Sequence, residues 1–179
     1  MRPASNSRSR VGALQLEAGI DHVLGAAAGR TIIEYGDYEC PYSRRAFREI
    51  ERVLDRSSGV RFAFRHYPLT EIHPHAFSAS AAAEAATRQN RFWEMHALLF
   101  HRQRALEDDD LRAYAAQIGL DVAVFDRDRS GPSVANRVRR DVTSGEESGE
   151  VQGTPTLFID GAVYRGPYDA ATLTEALAR

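Results

Sequence analysis

Residues 34–43 of this chain, Glu-Tyr-Gly-Asp-Tyr-Glu-Cys-Pro-Tyr-Ser, lie between a short apolar run and a helical pattern. The run that leads into this stretch, residues 31–35, shares its first two residues. It is β-branched and aromatic, which is typical of a buried strand. After Pro41 the apolar residues fall at helical spacing as far as a stop at residues 57–59, and residues 60–66 then alternate as a second strand. Strand, helix and strand in this order predict a βαβ unit with parallel pairing.

The rest of the chain predicts a helical block followed by a second sheet unit. From about residue 74 to about 149 every segment has helical periodicity, and Asp108-Asp109-Asp110 in this block is interpreted as a helix start that complements the macrodipole. Strands are predicted on either side of Asp160-Gly161, a dipeptide that favours a two-residue hairpin turn, with a last helix capped by Asp169. The fold class is therefore α/β, in the order βαβ, helices, ββα.

Composition sets limits on compartment and partners. The chain has 179 residues, a formal charge of −2 and a single cysteine. This charge argues against a nucleic-acid partner held through phosphates, and a lone cysteine cannot form an intrachain disulfide. No apolar run approaches the length of a membrane span and no signal-peptide core precedes the domain, so the chain is predicted to be cytoplasmic and to have no membrane partner. All 23 basic residues are arginine, which is typical of a G+C-rich, bacterial genome.

Cys40 is the candidate nucleophile because it stands where a predicted strand ends and a helix begins. Pro41 occupies the first helical turn, where its missing N–H is not needed. Free backbone N–H groups and the positive end of the helix dipole face the sulfur, and such positions favour the thiolate. A bare Cys-x-x-Ser also occurs by chance, and the alternative is a buried, inert cysteine.

Gly153-Thr154-Pro155 precedes the predicted hairpin and forms the second candidate element. Only about 5–6% of X–Pro bonds in folded proteins are cis. Taken alone, the motif favours a proline that opens an edge strand.

Taken together, these motifs resemble the DsbA-like branch of the thioredoxin superfamily over residues 22–177. The resemblance rests on residues 34–42, Arg-His-Tyr-Pro-Leu at 65–69, His-Pro-His-Ala at 73–76, Phe-Trp-Glu-Met-His at 92–96 and Gly-Thr-Pro-Thr-Leu-Phe-Ile-Asp-Gly at 153–161. It implies a thioredoxin fold with an α-helical insertion, at about residues 74–149, between its two halves. The predicted organisation is an N-terminal arm, 1–21, followed by one domain, 22–179.

The resemblance also assigns roles to individual positions. It makes Cys40 the nucleophile and Pro155 a cis-proline that faces it, with the backbone of Thr154 pairing with a bound peptide as an added strand. It makes Glu34 a buried acid beneath the motif, able to relay protons or to oppose the thiolate by repulsion. The predicted substrate-binding residues are Pro41, Tyr42 and Thr154.

Ser43 departs from the family pattern, because members with dithiol chemistry have a second cysteine at this position. A serine hydroxyl cannot attack a mixed disulfide and release the product. The sequence therefore predicts monothiol chemistry at Cys40, with release by an outside thiol. Ser43 is expected to remain in the site, where its hydroxyl can hydrogen-bond the Cys40 thiolate.

Three functions stay open at this point. The leading one is a monothiol protein disulfide oxidoreductase that exchanges with protein thiols and disulfides and uses a low-molecular-weight thiol, glutathione or an equivalent, as co-substrate. The second is a kappa-type glutathione transferase or isomerase, whose Ser-Pro-Tyr-Ser-like motif residues 41–43 partly match. The third is a non-catalytic, redox-regulated binding or chaperone-like module. No bound cofactor is expected, and His73-Pro74-His75 lacks the ligand spacing of a metal site.

Overall fold

The computed structural model describes residues 14–179. A five-stranded sheet lies at its centre, in the order β1-β3-β2-β4-β5. Strands β2 and β3 are parallel, and every other neighbouring pair is antiparallel. The predicted βαβ unit is thus confirmed. The strands are β1 His22–Gly25, β2 Arg30–Gly36, β3 Val60–His66, β4 Thr156–Ile159 and β5 Ala162–Tyr164.

The helices frame this sheet in the predicted order. Helix α1 follows β2, α7 follows β5, and five helices lie between β3 and β4. The mixed α/β architecture with a helical insertion is that of a thioredoxin fold. The helices are α1 Pro41–Arg56, α2 Ala76–Thr87, α3 Phe92–His101, α4 Asp108–Gln117, α5 Val122–Arg129, α6 Pro132–Ser148 and α7 Ala170–Leu177.

Strand alternation divides the core between the two faces of the sheet. On β2, Ile32 packs into the larger apolar cluster with residues of α1, α2, α3 and α7, while Ile33 and Tyr35 belong to a smaller cluster on the other face. By the same alternation Glu34 points to the same face as Ile32. Its neighbours in register are Phe64 on β3 and Leu157 on β4.

Two local sequence predictions are confirmed in the backbone. Asp160 and Gly161 have φ values of 46° and 83°, the left-handed conformation that a tight two-residue hairpin turn needs. Helix α4 begins at Asp108, and a capping box joins the side chains of Glu107 and Asp110 to each other's backbone.

The described part of the predicted N-terminal arm, residues 14–21, lies against the domain. The Leu14 N–H donates to the Gly161 carbonyl at 2.9 Å. Arg65, only 1% exposed, donates two hydrogen bonds to the Asp21 carboxylate, at 2.9 and 2.8 Å. Residues 1–13 of the arm lie outside the described residues. In the described range no helix is both long and apolar enough to cross a membrane.

Candidate active site

Cys40 lies at the junction of β2 and α1, as its position in the sequence predicts. It is the N-cap residue of α1, with extended backbone angles, and Pro41 opens the helix behind it. The first turn of α1 therefore leaves its N–H groups directed toward the end of the helix at which Cys40 stands. The thiol is 4% exposed and its Sγ lies 3.3 Å from the Thr154 carbonyl oxygen, to which it donates.

The Thr154–Pro155 bond is cis, which confirms that prediction. The loop is closed by Thr156, whose Oγ1 donates to the Gly153 carbonyl at 2.7 Å. The hydroxyl of Thr154 is buried and has no hydrogen-bond partner among the described residues. Cys40 and Thr154 are 114 residues apart in sequence. The fold thus brings the loop before β4 to the sulfur at the N-terminus of α1.

Ser43 is fully buried in the first turn of α1. Its Oγ accepts a hydrogen bond from the Asp37 backbone N–H at 3.2 Å. Within residues 14–179 no hydrogen bond joins Ser43 to Cys40, so the expected bond to the sulfur is replaced by one to the turn that precedes it. Ser43 therefore holds the loop between β2 and α1.

Glu34 is completely buried, and neither carboxylate oxygen has a hydrogen-bond partner in the described range. One of those oxygens lies close to Gly36, where an added Cβ would stand 2.9 Å from it. Burial without a compensating partner raises the pKa of Glu34 to about 8. At neutral pH the side chain is therefore a protonated acid on the α1 face of the sheet.

Asp37, which the sequence analysis did not single out, organises the loop around Cys40. Its buried carboxylate accepts from the Glu39 N–H at 2.7 Å, from the Leu69 N–H at 2.8 Å and contacts His73 Nδ1 at 2.8 Å. The bond to Glu39, two residues on, is a local turn that a Gly-Asp dipeptide after a strand could have indicated. The other two contacts join segments more than 30 residues away and leave no local signal.

Replacing Asp37 by Ala is expected to destabilise the domain by about 2 kcal/mol, because two part-buried backbone N–H groups lose their acceptor at once. Asp37→Asn keeps one acceptor oxygen, enough for one of the two N–H groups that Oδ1 and Oδ2 bind, and should lose about half as much. Urea unfolding of both variants measures the difference. A loss below about 1 kcal/mol for Asp37→Ala would show that these hydrogen bonds do not stabilise the loop.

Two further residues, Gln103 and Tyr168, join the neighbourhood of Cys40. Gln103 Nε2 donates to the carbonyls of Tyr38 and Cys40, both at 2.8 Å. Burial raises the pKa of the Tyr168 hydroxyl, Arg45 opposes the rise, and the nearby charges of Cys40, Tyr42 and Glu34 add to it. Neither residue belongs to a motif, so only the fold reveals them.

The predicted substrate-binding residues form the exposed rim of the site. Tyr42, in the first turn of α1, is 63% exposed, and Pro41 beside it is exposed as well. Thr154 is half-buried, with its carbonyl already in contact with Cys40.

Of the described residues, His66, Glu84 and Asp141 form a buried group with metal-ligand chemistry, their ligand atoms lying within 4.8 Å of one another. These atoms already have partners. Glu84 Oε1 contacts His22 Nε2 at 2.9 Å and His66 Nε2 at 2.8 Å, and Asp141 pairs with Arg137. The positive charge of the Arg137 guanidinium opposes the binding of a metal cation beside it. The hydrogen bonds and ion pairs of these three residues instead connect α2 and α6 to β3. His73, one of the two histidines weighed as metal ligands, contacts Asp37 instead.

Comparison with known proteins identifies the family. Residues 17–179 match the family model described as thioredoxin. The chain is 38% identical to a protein named Na(+)/H(+) antiporter NhaA 3 from Salinispora tropica, over 99% of this chain and 28% of that protein. It is 42% identical to Na(+)/H(+) antiporter NhaA 1 from Mycolicibacterium gilvum, over 88% of this chain and 26% of that protein. The chain thus spans about a quarter of the length of the curated relatives it matches.

Solved structures share this fold. A thioredoxin-like oxidoreductase from Silicibacter pomeroyi has a TM-score of 0.81 and 28% identity, over 90% of this chain and 92% of that one. The thiol-disulfide exchange protein alpha-DsbA2 from Wolbachia pipientis has a TM-score of 0.77 and 17% identity, over 87% and 84% of the two chains. BdbD from Bacillus subtilis has a TM-score of 0.74 and 22% identity, over 87% and 90%. The chain belongs to the thioredoxin family.

Proposed function

We propose that the chain is a monothiol disulfide oxidoreductase that forms mixed disulfides through Cys40. One observation carries the proposal: Cys40 Sγ lies at the N-terminus of α1, 3.3 Å from the carbonyl of the residue before the cis-proline, with a serine one turn into the helix. The helix end stabilises a thiolate, and the loop at Thr154 offers backbone for a bound peptide.

The proposed cycle is a series of thiol–disulfide exchange steps. The Cys40 thiolate attacks one sulfur of a disulfide, forms a mixed disulfide and expels the other sulfur as a thiolate, which takes up a proton. External thiolates then resolve the mixed disulfide and restore Cys40, because Ser43 has no sulfur with which to do so. Glu34, protonated at neutral pH with its pKa of about 8, holds a proton on the face of the sheet beneath α1.

The proposed substrates are protein thiols and disulfides, with a low-molecular-weight thiol as the external reductant. We propose a cytoplasmic location for this reaction. The match to the antiporter-named relatives covers nearly all of this chain but only about a quarter of those proteins. The transport activity in their names is therefore not proposed for this chain.

Intact-mass analysis of the protein after incubation with oxidised glutathione tests the proposal. We expect one glutathione adduct on the wild-type chain, removed by added thiol, and none on Cys40→Ser. A coupled assay with glutathione, glutathione reductase and a small mixed disulfide should show turnover that Cys40→Ser lacks. Adducts without turnover would favour the binding module, and a wild-type protein that forms no adduct would contradict the proposed function.

A further inference from the structure

An arginine-lined groove runs along the exposed side of α1, next to Cys40. It has a volume of about 420 Å³, and four of its arginines come from α1 while a fifth comes from the segment after α3. The α1 members recur at helical spacing and so share one face of the helix. The residues that line this groove, called here the arginine groove, are Pro41, Arg44, Arg45, Arg48, Glu49, Arg52, Gln103 and Arg104.

The positive charge of the arginine groove is mostly uncompensated. Among its described lining residues Glu49 is the one acid, and its carboxylate already contacts Arg52 at 2.5 Å and accepts from the Ala170 N–H at 3.0 Å. Within residues 14–179 none of the remaining four arginines has a carboxylate within 4 Å. The whole chain, by contrast, has a formal charge of −2, so the groove concentrates cations on a mildly acidic protein. Those four are Arg44, Arg45, Arg48 and Arg104.

The arginine groove is connected to the reactive cysteine at two points. Gln103 lines the groove and also donates to the Cys40 carbonyl at 2.8 Å, and Pro41, the next residue after Cys40, forms part of the same wall. Arg45 lies over the ring of Tyr168, 5.8 Å from its centroid, and Cys40 is among the groups whose charge raises the pKa of the Tyr168 hydroxyl. One end of the groove therefore adjoins the first turn of α1, at the residue next to Cys40.

We propose that the arginine groove binds the carboxylate or phosphate groups of an anionic small thiol and presents its sulfur to Cys40. The inference rests on the proposed function and names the class of its co-substrate. The groove has the size of a small-molecule site, which is typically about 300–1,000 Å³. Guanidinium groups bind carboxylates and phosphates in a bidentate manner, and several together attract anions from solution.

In the step served by this groove, the bound thiolate attacks the Cys40 sulfur of a mixed disulfide. The new bond joins the small thiol to Cys40. The bond between Cys40 and the first substrate breaks, and the substrate sulfur leaves as a thiolate that is protonated by solvent. A second molecule of the small thiol then attacks the small-thiol sulfur of the adduct, which releases the symmetrical disulfide and frees the Cys40 thiolate. Two small thiols lose two electrons, and one substrate disulfide gains them.

Charge-matched disulfides test the proposal. Arg48→Glu and Arg104→Glu, made separately, are compared with Arg139→Glu, which reverses an exposed arginine on α6 that has no carboxylate within 4 Å in the described range. Rates of adduct formation at Cys40 are measured with anionic oxidised glutathione and cationic cystamine. We expect each groove variant to lower the rate of adduct formation with oxidised glutathione by about tenfold. The rate with cystamine should stay the same or rise. Arg139→Glu should change both rates by less than about twofold.

A binding measurement keeps the proposal testable even if Cys40 proves unreactive. Cys40→Ser protein is titrated with S-methylglutathione, a carboxylate probe, and with desulfo-coenzyme A, a phosphate probe, and amide NMR shifts are followed. Saturable shifts along α1 that disappear in Cys40→Ser with Arg48→Glu would support the groove, and the tighter probe would identify the anionic group. Such binding without any Cys40 adduct would leave the groove standing while the proposed function fails.

Two results would overturn the proposal. In the first, neither probe binds, and the groove variants lower the rates with both disulfides equally or by no more than Arg139→Glu does. The groove then does not hold the small thiol, whatever the reactivity of Cys40. If Arg48→Glu slows exchange with an acidic protein disulfide and leaves oxidised glutathione unaffected, the groove serves a protein partner instead.

Discussion

Ser43→Cys is expected to raise the rate of insulin reduction with dithiothreitol by at least about tenfold, because the new thiol can release substrates within the molecule. Residues 40 and 43 are the N-cap and third residue of α1, one helical turn apart. Such a spacing suits a disulfide, whose Cα atoms usually lie about 4.4–6.8 Å apart. Oxidised Ser43→Cys protein should contain an internal disulfide, detectable by intact mass and by loss of both free thiols.

Ser43→Ala is the matched control, since it also removes the acceptor of the Asp37 N–H but adds no thiol. It should keep the low insulin activity of the wild type and lose about 1 kcal/mol of stability. Strong insulin reduction by the wild-type chain would contradict the predicted block at Ser43. A Ser43→Cys protein with neither an internal disulfide nor added activity would contradict the proposed geometry of the motif.

Glu34→Gln is expected to stabilise the folded protein at alkaline pH. Folding keeps the proton on the Glu34 carboxyl up to its pKa of about 8, while an unfolded chain releases it near the ordinary glutamate pKa of 4.5. Between these pH values the folded state binds more protons, so the wild-type free energy of unfolding falls by about 1.4 kcal/mol per pH unit because of this residue. The full contribution of the protonated acid is present below pH 4.5 and is lost as the pH rises through 8.

Urea unfolding of wild type and Glu34→Gln from pH 4 to pH 9 measures this effect. The difference between the two proteins should grow with pH to several kcal/mol and level off above about pH 8. Glu147→Gln, an exposed change on α6, should follow the wild-type profile. A Glu34→Gln profile parallel to that of the wild type would show that Glu34 ionises normally in the folded protein.

Local properties of the sequence predict part of this fold, and tertiary contacts decide the rest. The strand before Cys40, the helix after Pro41 and the hairpin at Asp160-Gly161 were all predictable, because periodicity, proline position and turn chemistry are local properties. The predicted cis bond at Thr154–Pro155 is confirmed, but it came from a resemblance and not from spacing. The contact between Thr154 and Cys40 joins segments 114 residues apart.

By itself, the sequence determined the order of the elements, the place of the single cysteine at a helix start and the absence of a second thiol at Ser43. The resemblance predicted a buried Glu34, but only the tertiary structure decided that its carboxylate lies between Phe64 and Leu157 of two other strands and has no hydrogen-bond partner among the described residues. It also decided that Arg104 joins the arginines of α1 beside Cys40. Desolvation and charge clustering depend on which distant segments the fold brings together, and no local pattern of residues carries that information.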